Sequence, residues 1–248
     1  MDALGYTFGS VLAVSLVSLV GAFAVSFSRK HLKRGLLFLV AFSAGALVGD
    51  AFIHLLPEAV EKTGFGLEVS LMVLLGIVIM FVVEKMVHWH HCHHLGHEHQ
   101  YPEFAFTNLV GDAIHNFIDG VIIAGSFLVS VPLGLATALA VVFHEIPEEI
   151  GDFGVLLHSG FTIKKALLVN LLVSLTAFLG AALVFLFGSF LSDYLGLLLA
   201  FAAGNFIYIS GTDLIPELHK KADPKNSFFE LLSFLAGIGV MLLLLSLG

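Results

Sequence analysis

The chain has 248 residues, of which 58% are hydrophobic and only 12% charged, and its mean hydropathy is +1.00. A soluble domain rarely reaches such values, because its surface would have to be apolar as well as its core. The formal net charge of −8 offers no basic surplus for nucleic acid, and the single cysteine, Cys92, excludes an intrachain disulfide. The composition therefore predicts a membrane protein.

Apolar stretches of about 20 residues, the length that crosses a bilayer, alternate with short polar breaks along the whole chain. The first is long enough to span and has no basic leader, so we do not interpret it as a cleavable signal. We predict an all-α, polytopic fold with a single transmembrane domain over residues 1–248. Its eight spans are 4–28, 35–59, 66–87, 105–130, 132–158, 165–190, 194–218 and 228–247.

Lysine and arginine set the predicted orientation, since they concentrate in cytoplasmic loops. Ten of the 11 basic residues lie in alternate loops, and only Lys62 lies on the opposite side. This bias predicts that both termini are outside and that the loop 88–104, between the third and fourth spans, is cytoplasmic. The ten residues are Arg29, Lys30, Lys33, Arg34, Lys85, Lys164, Lys165, Lys220, Lys221 and Lys225.

That predicted loop is rich in histidine, with seven of the 13 histidines between residues 88 and 99. One interpretation is a metal-binding tract that uses imidazoles and a thiolate. The other is a solvated loop whose metal binding is incidental, and the sequence favours neither. The candidate ligands are His90, His91, Cys92, His93, His94, His97 and His99.

Two polar blocks interrupt the fourth and fifth spans, HNFIDG at 115–120 and HEIPEE at 144–149. On a helix, residues four apart lie on the same face. His115 and Asp119 are spaced in this way, and so are His144 and Glu148, with Asn116 and Glu145 beside them. Each block can therefore present an imidazole and a carboxylate to a shared ion.

The cost of burying these acids favours a bound cation. An acid at the centre of a span costs about 2.5–3.5 kcal/mol, so two on the fourth span and four on the fifth cost roughly 15–21 kcal/mol. No lysine or arginine lies in the middle of any span to compensate. Imidazole with carboxylate suits zinc, iron(II), manganese or cadmium, whereas copper(I) prefers sulfur and calcium or magnesium prefers oxygen.

Further polar side chains suggest a path for the ion on either side of these blocks. Asp50, His54 and Glu58 lie in the outer half of the second span, and Asp213 and Glu217 in the inner half of the seventh. Pro147 should kink the fifth helix and open it at the site. Glu149 is assigned to the same path; Asn170 and Ser174 reach a similar depth, where interhelical hydrogen bonding is favoured over a ligand role.

A short internal similarity joins the second and seventh spans. HLLPE at 54–58 resembles DLIPE at 213–217, on helices that the predicted topology runs in opposite directions. Similar motifs on oppositely directed helices are typical of transporters built from inverted repeats.

The blocks HNFIDG, HEIPEE followed by IGDF, GDAFIHLLPE and NLLVSLTAFLG together resemble the signatures of the Zrt/Irt-like (ZIP) metal transporters. Within that family the chain is similar to the histidine-rich subfamily close to the endomembrane zinc transporters, over nearly its whole length. The resemblance implies eight helices in an inverted 3+2+3 arrangement, a homodimer in the lipid bilayer, and zinc movement into the cytoplasm.

The resemblance also implies a binuclear centre without a prosthetic group. His115, Asp119 and Glu148 would match one metal position, and Asn116, His144, Glu145 and a shared Glu148 the other. Many members of the subfamily have histidine where this chain has Glu148, and a carboxylate there hardens the site. The large extracellular domain of some relatives is missing, as in a compact prokaryotic form, so a plasma or inner membrane location is expected.

Two alternatives stand beside an inward zinc transporter that performs no chemical turnover. An intramembrane zinc hydrolase is suggested by His144-Glu145-Ile146-Pro147-Glu148, which is similar to HExxH but has Glu148 for the second histidine. A channel, or a metal sensor on a transporter scaffold, would be lined by the same residues as a carrier.

Overall fold

The computed structural model of the protein describes residues 3–24, 29–92, 101–219 and 224–247. Within these ranges the secondary structure is helical, with no strand, and eight helices are long and apolar enough to cross a membrane. The predicted all-α fold with eight spans is confirmed.

We number these helices α1 to α8, and several consist of consecutive segments. They are α1 (Ala3–Val17, Ser18–Val20 and Gly21–Ala24), α2 (Arg29–Gly49, Asp50–Leu55 and Leu56–Thr63), α3 (Leu67–Cys92), α4 (Tyr101–Val129), α5 (Val131–His158), α6 (Ile163–Ser174 and Thr176–Leu186), α7 (Leu195–Ile209, Ser210–Leu214 and Ile215–His219) and α8 (Pro224–Leu244 with Leu245–Leu247). The short helical turns Gly188–Leu191 and Ser192–Tyr194 connect α6 to α7.

The predicted loop 88–104 is wrong at both ends. The α3 helix continues to Cys92, and α4 already begins at Tyr101. Hydropathy marks where apolar side chains end, whereas helical backbone hydrogen bonds continue into polar sequence. His90, His91 and Cys92 therefore belong to the last turn of α3, while His93, His94, His97 and His99 lie outside the described residues.

The helices divide into an inner and an outer set. More than half of the spanning residues of α2, α4, α5 and α7 are buried, against a third or less in α1, α3, α6 and α8. Leucines such as Leu71, Leu74 and Leu75 on α3 are exposed in the isolated chain. This distribution suits an outer ring of helices facing lipid around an inner set that carries the polar blocks.

Paired glycines allow close helix crossings, which are typical of membrane proteins. Gly45 of α2 and Gly237 of α8 each lie against a backbone carbonyl of the other helix. Gly76 of α3 and Gly204 of α7 make the same reciprocal contact, and the α4–α6 crossing also uses paired glycines. A side chain at these positions would overlap the facing carbonyl oxygen, so the crossings depend on glycine.

The α2 and α7 helices each contain a π-helical turn immediately before a proline. Leu56 N–H donates to the Ala51 carbonyl, and Ile215 N–H donates to the Ser210 carbonyl. Ala51 and Ser210 are the same number of residues apart in the sequence as Leu56 and Ile215. Because a proline ring crowds the carbonyl four residues earlier and offers no N–H, the wider turn accommodates it without ending the helix.

Pro147 lies inside α5, which stays helical from Val131 to His158. Its missing N–H leaves the carbonyl of Phe143 without its usual helical donor. The Ser43 hydroxyl of α2 lies within hydrogen-bonding distance of that carbonyl. The freed backbone group next to the polar block is therefore satisfied by a neighbouring helix rather than by an opening of α5.

Substitution of Gly45 tests the glycine crossings. Gly45→Ala should lower the melting temperature of the purified protein in detergent, because overpacking at a backbone contact costs about 1–3 kcal/mol. Gly239→Ala is the matched control, since a Cβ at Gly239 of α8 meets no atom within 4 Å. Equal melting temperatures for the two variants would contradict a requirement for glycine at the crossing.

Candidate metal centre

The short connection between α4 and α5 brings the two polar blocks to one depth. Ser130 joins the helices, and its hydroxyl accepts the Leu133 N–H to cap α5. His115 precedes Ser130 by almost the same number of residues as His144 follows it. Since the two helices pack against each other in opposite directions, these histidines meet, with their Nε2 atoms 3.1 Å apart.

Four side chains, two from each helix, converge at this point. They are His115 and Asp119 of α4 with His144 and Glu145 of α5, and one ligand atom of each lies within 4.8 Å of all the others. All four residues are buried. The two polar blocks therefore face one another across the α4–α5 contact.

The spacing of these atoms matches a tetrahedral metal site. Four ligands at the usual zinc distances of about 2.0–2.2 Å lie roughly 3.3–3.6 Å from one another in a tetrahedron. Five distances between ligand atoms of this group run from 3.1 Å, between the two Nε2 atoms, to 3.7 Å, between His115 Nε2 and Asp119 Oδ2. The site has the dimensions of a zinc centre.

One oxygen of each carboxylate in this group lacks a hydrogen-bond donor among the described residues. In the described part of the chain, neither Asp119 Oδ2 nor Glu145 Oε1 accepts a hydrogen bond, although both atoms are buried. Buried carboxylate oxygens without donors are costly, because they have lost water without replacing it. A divalent cation bound between them would supply that missing interaction.

Hydrogen bonds outside the group orient its ligands. His144 Nδ1 lies 3.3 Å from the Ala140 carbonyl, which can only accept, so Nδ1 carries the proton and Nε2 offers its lone pair to the site. The Asn116 amide donates to Asp112 Oδ1 at 2.7 Å, and its own Oδ1 accepts no hydrogen bond among the described residues. Asn116 thus keeps an oxygen available beside the four-ligand group.

Glu148 lies at the edge of the group, between it and two cavities. Its Oε2 is 3.4 Å from His115 Nε2, and its side chain is 35% exposed, unlike the four buried ligands. The first cavity, of about 190 Å³, we call the acidic cavity; its polar lining includes Glu84, Asp112, His115, Glu148, Asp152 and Asp213. The second, the α2–α7 cavity, of about 560 Å³, is lined by Val40, Pro147, Glu148, Asp213 and Glu217 among others.

The residues predicted for the outer half of the path are closed off or paired. Asp50 is fully buried beside Thr137 of α5. His54 is also buried, and its Nε2 lies 2.9 Å from the Met241 carbonyl. Glu58 is within 3.4 Å of Lys62 in a partly exposed pair.

On the other side of the site, Asp213 and Glu217 line the α2–α7 cavity, and Asp213 lines the acidic cavity as well.

Asn170 and Ser174 of α6 make interhelical hydrogen bonds, as favoured from the sequence. The Asn170 amide donates to Glu149 Oε2 at 2.8 Å, which joins α6 to α5. Ser174 donates to the Ser15 carbonyl of α1, and Ser15 donates to the Ser174 carbonyl. Neither residue belongs to the four-ligand group, and Glu149 is held away from it by Asn170.

Sequence reasoning missed Glu84 of α3 as a site residue. Glu84 lines the acidic cavity and accepts a hydrogen bond from the Tyr208 hydroxyl of α7. In the sequence it precedes Lys85 at the end of a span, where it is easily taken for a charge at the membrane surface. Asp112 and Asp152 lie at helical spacing from Asn116 and Glu148, but that pattern alone does not reveal a cavity.

These features define a multi-pass membrane protein with a buried group of histidine and carboxylate side chains that could hold a metal ion. A family profile for the ZIP zinc transporter matches residues 2–103 and 90–245. The chain is 31% identical to mouse zinc transporter SLC39A7, over 96% of this chain and 69% of the relative. It is 35% identical to zinc transporter ZIP13 of Pongo abelii, over 86% of this chain and 66% of the relative.

A Drosophila melanogaster ZIP13 homolog, also a zinc transporter by name, is 31% identical over 82% of this chain and 75% of its own length. The chain belongs to the ZIP zinc transporter family. None of these similarities supports the hydrolase alternative.

Removal of one imidazole tests the metal centre directly. His144→Ala should weaken zinc binding by the purified protein at least tenfold, because it removes one of four converging ligands. Competition with a chromogenic chelator in detergent measures the affinity. His219→Ala is the control, since His219 is exposed at the end of α7; an unchanged affinity in His144→Ala would exclude this group as the zinc site.

Proposed function

We propose that this protein transports zinc across a membrane into the cytoplasm, with no chemical turnover, through the site between α4 and α5. The supporting observation is the group of His115, Asp119, His144 and Glu145, whose ligand atoms are spaced as in tetrahedral zinc sites. The zinc-transporter names of its relatives agree with this cargo. Cadmium, iron(II) and manganese are further candidates, because imidazole and carboxylate ligands can hold each of them, and the carboxylates favour the harder iron(II) and manganese.

The cavities support release toward the cytoplasm. They lie among Leu36 at the start of the second span, Glu84 at the end of the third and Glu217 at the end of the seventh. The positive-inside rule assigns all three ends to the cytoplasmic side. Glu148, which is the exposed member of the site, would pass the ion from the buried ligands into these cavities.

We further propose a second metal position beside the first, which Glu148 would share. The unpartnered Asn116 Oδ1 and the nearby Glu148 carboxylate support it, together with the family resemblance. In this arrangement His115, Asp119 and Glu148 hold one ion, and Asn116, His144, Glu145 and Glu148 hold the other.

An inverted 3+2+3 arrangement would give such a carrier its two alternating openings. It is supported by the matching π-turns of α2 and α7, and by the reciprocal hydrogen bonds of Ser15 and Ser174. These two serines are the same number of residues apart in the sequence as the two π-turns. Both termini outside, a homodimeric assembly and a plasma or inner membrane location complete the proposal.

Zinc uptake into proteoliposomes containing the purified protein tests the function. Wild-type protein should give saturable uptake, and His115→Ala or Glu148→Ala should reduce its rate at least tenfold because each removes a ligand. Glu68→Gln, which changes an exposed acid at the start of α3, should not alter it. Uptake by wild type no faster than by empty liposomes would refute the proposal, and competition by cadmium, iron(II) and manganese would rank the metals.

A further inference from the structure

The acidic cavity contains a set of carboxylates distinct from the four-ligand group of His115, Asp119, His144 and Glu145, which we call the histidine site. Asp112 precedes His115 by three residues on α4, and Asp152 follows Glu148 by four residues on α5. Because a helix rises about 1.5 Å per residue, Asp112 lies roughly 4.5 Å along α4 from His115, and Asp152 roughly 6 Å along α5 from Glu148. Since α4 and α5 run in opposite directions, both displacements are toward the same side of the metal centre. They lie together toward the predicted cytoplasmic ends of their helices.

Two other helices add carboxylates to the same cavity. Glu84 of α3 and Asp213 of α7 line it with the two aspartates, so four helices contribute an acid to a space of about 190 Å³. The Tyr208 hydroxyl donates to Glu84, which holds that carboxylate at the cavity wall. Among the side chains that the structure describes, histidine reaches this cavity only at its border with the metal centre, through His115.

Asp112 supplies an independent indication of a ligand. It is 5% exposed, and its Oδ2 atom is buried without a hydrogen-bond partner among the described residues. Its other oxygen accepts the Asn116 amide at 2.7 Å, which fixes the orientation of the carboxylate. A buried, oriented carboxylate oxygen with no donor is costly unless a cation or proton compensates it.

We propose that Asp112 and Asp152, with Glu84 and Asp213 around them, form a second, weaker binding site for the divalent metal on its way to the cytoplasm. The proposal rests on the transport function proposed above. An all-oxygen set binds zinc less tightly than a set with two imidazoles but accepts manganese well. Zinc leaving the histidine site would therefore stop briefly at oxygen ligands from which it dissociates readily.

Manganese binding to the purified full chain tests this site without relying on transport. The starting variant carries Asp119→Asn and Glu145→Gln, which remove two carboxylates of the histidine site while keeping their shape. It should retain one Mn²⁺ site, seen as loss of the free-ion electron paramagnetic resonance signal during titration. Adding Asp112→Asn and Asp152→Asn should raise the Mn²⁺ dissociation constant at least tenfold.

Asparagine at position 112 still accepts the Asn116 amide, so this hydrogen bond is preserved. Asp193→Asn, at an exposed acid outside the acidic cavity, is the control and should not change Mn²⁺ binding. Each aspartate is also replaced singly, so that a folding defect in the combined variant does not remove the test. Absence of Mn²⁺ binding in the starting variant, or binding unaffected by Asp112→Asn and Asp152→Asn, would overturn the second site.

The two proposals fail in different ways. Loss of the zinc uptake function would show in wild-type proteoliposomes, whereas the Mn²⁺ titration reports only on the acidic cavity. Normal uptake together with unchanged Mn²⁺ binding would leave the transporter and remove the oxygen site.

Discussion

The structure depends on how carboxylates are compensated inside apolar helices. Each acid in the middle of a span costs about 2.5–3.5 kcal/mol, and the sequence places no lysine or arginine at that depth to offset it. Two kinds of compensation are seen instead. Glu149 receives an amide from Asn170, Asp112 receives one from Asn116, and Asp119 and Glu145 face two imidazoles around a space suited to a cation. The metal centre thus consists of the buried carboxylates to which no amide donates a hydrogen bond.

That compensation requires accurate positions, and the surrounding helices provide them. Glycine pairs bring α2 against α8 and α3 against α7 at backbone distance, and Gly120 and Gly180 do the same for α4 and α6. The Ser43 hydroxyl satisfies the Phe143 carbonyl, which Pro147 leaves without a helical donor and which immediately precedes His144. Small side chains thus fix the backbone positions of the inner helices. The metal ligands are brought close together by these backbone positions.

The spans and the site were predictable because hydropathy and helical spacing are local properties. Residues such as His115 and Asp119 share a face whatever the tertiary structure, and the short turn at Ser130 sets the depth of His144. The π-turns, the end of α3 at Cys92 and the role of Glu84 were not predictable. Each depends on contacts between distant helices, or on backbone hydrogen bonding that continues past the apolar sequence.

The two related motifs of α2 and α7 now differ in their surroundings, although both follow a π-turn. His54 of the first motif is buried against the Met241 carbonyl, and Asp50 one turn earlier is fully buried. Asp213, which stands at the position of His54 in the second motif, is exposed and lines both cavities. One side of the site is therefore packed shut while the other is open. A carrier that alternates between two openings needs such an asymmetry at any moment, because a path open on both sides would conduct as a channel.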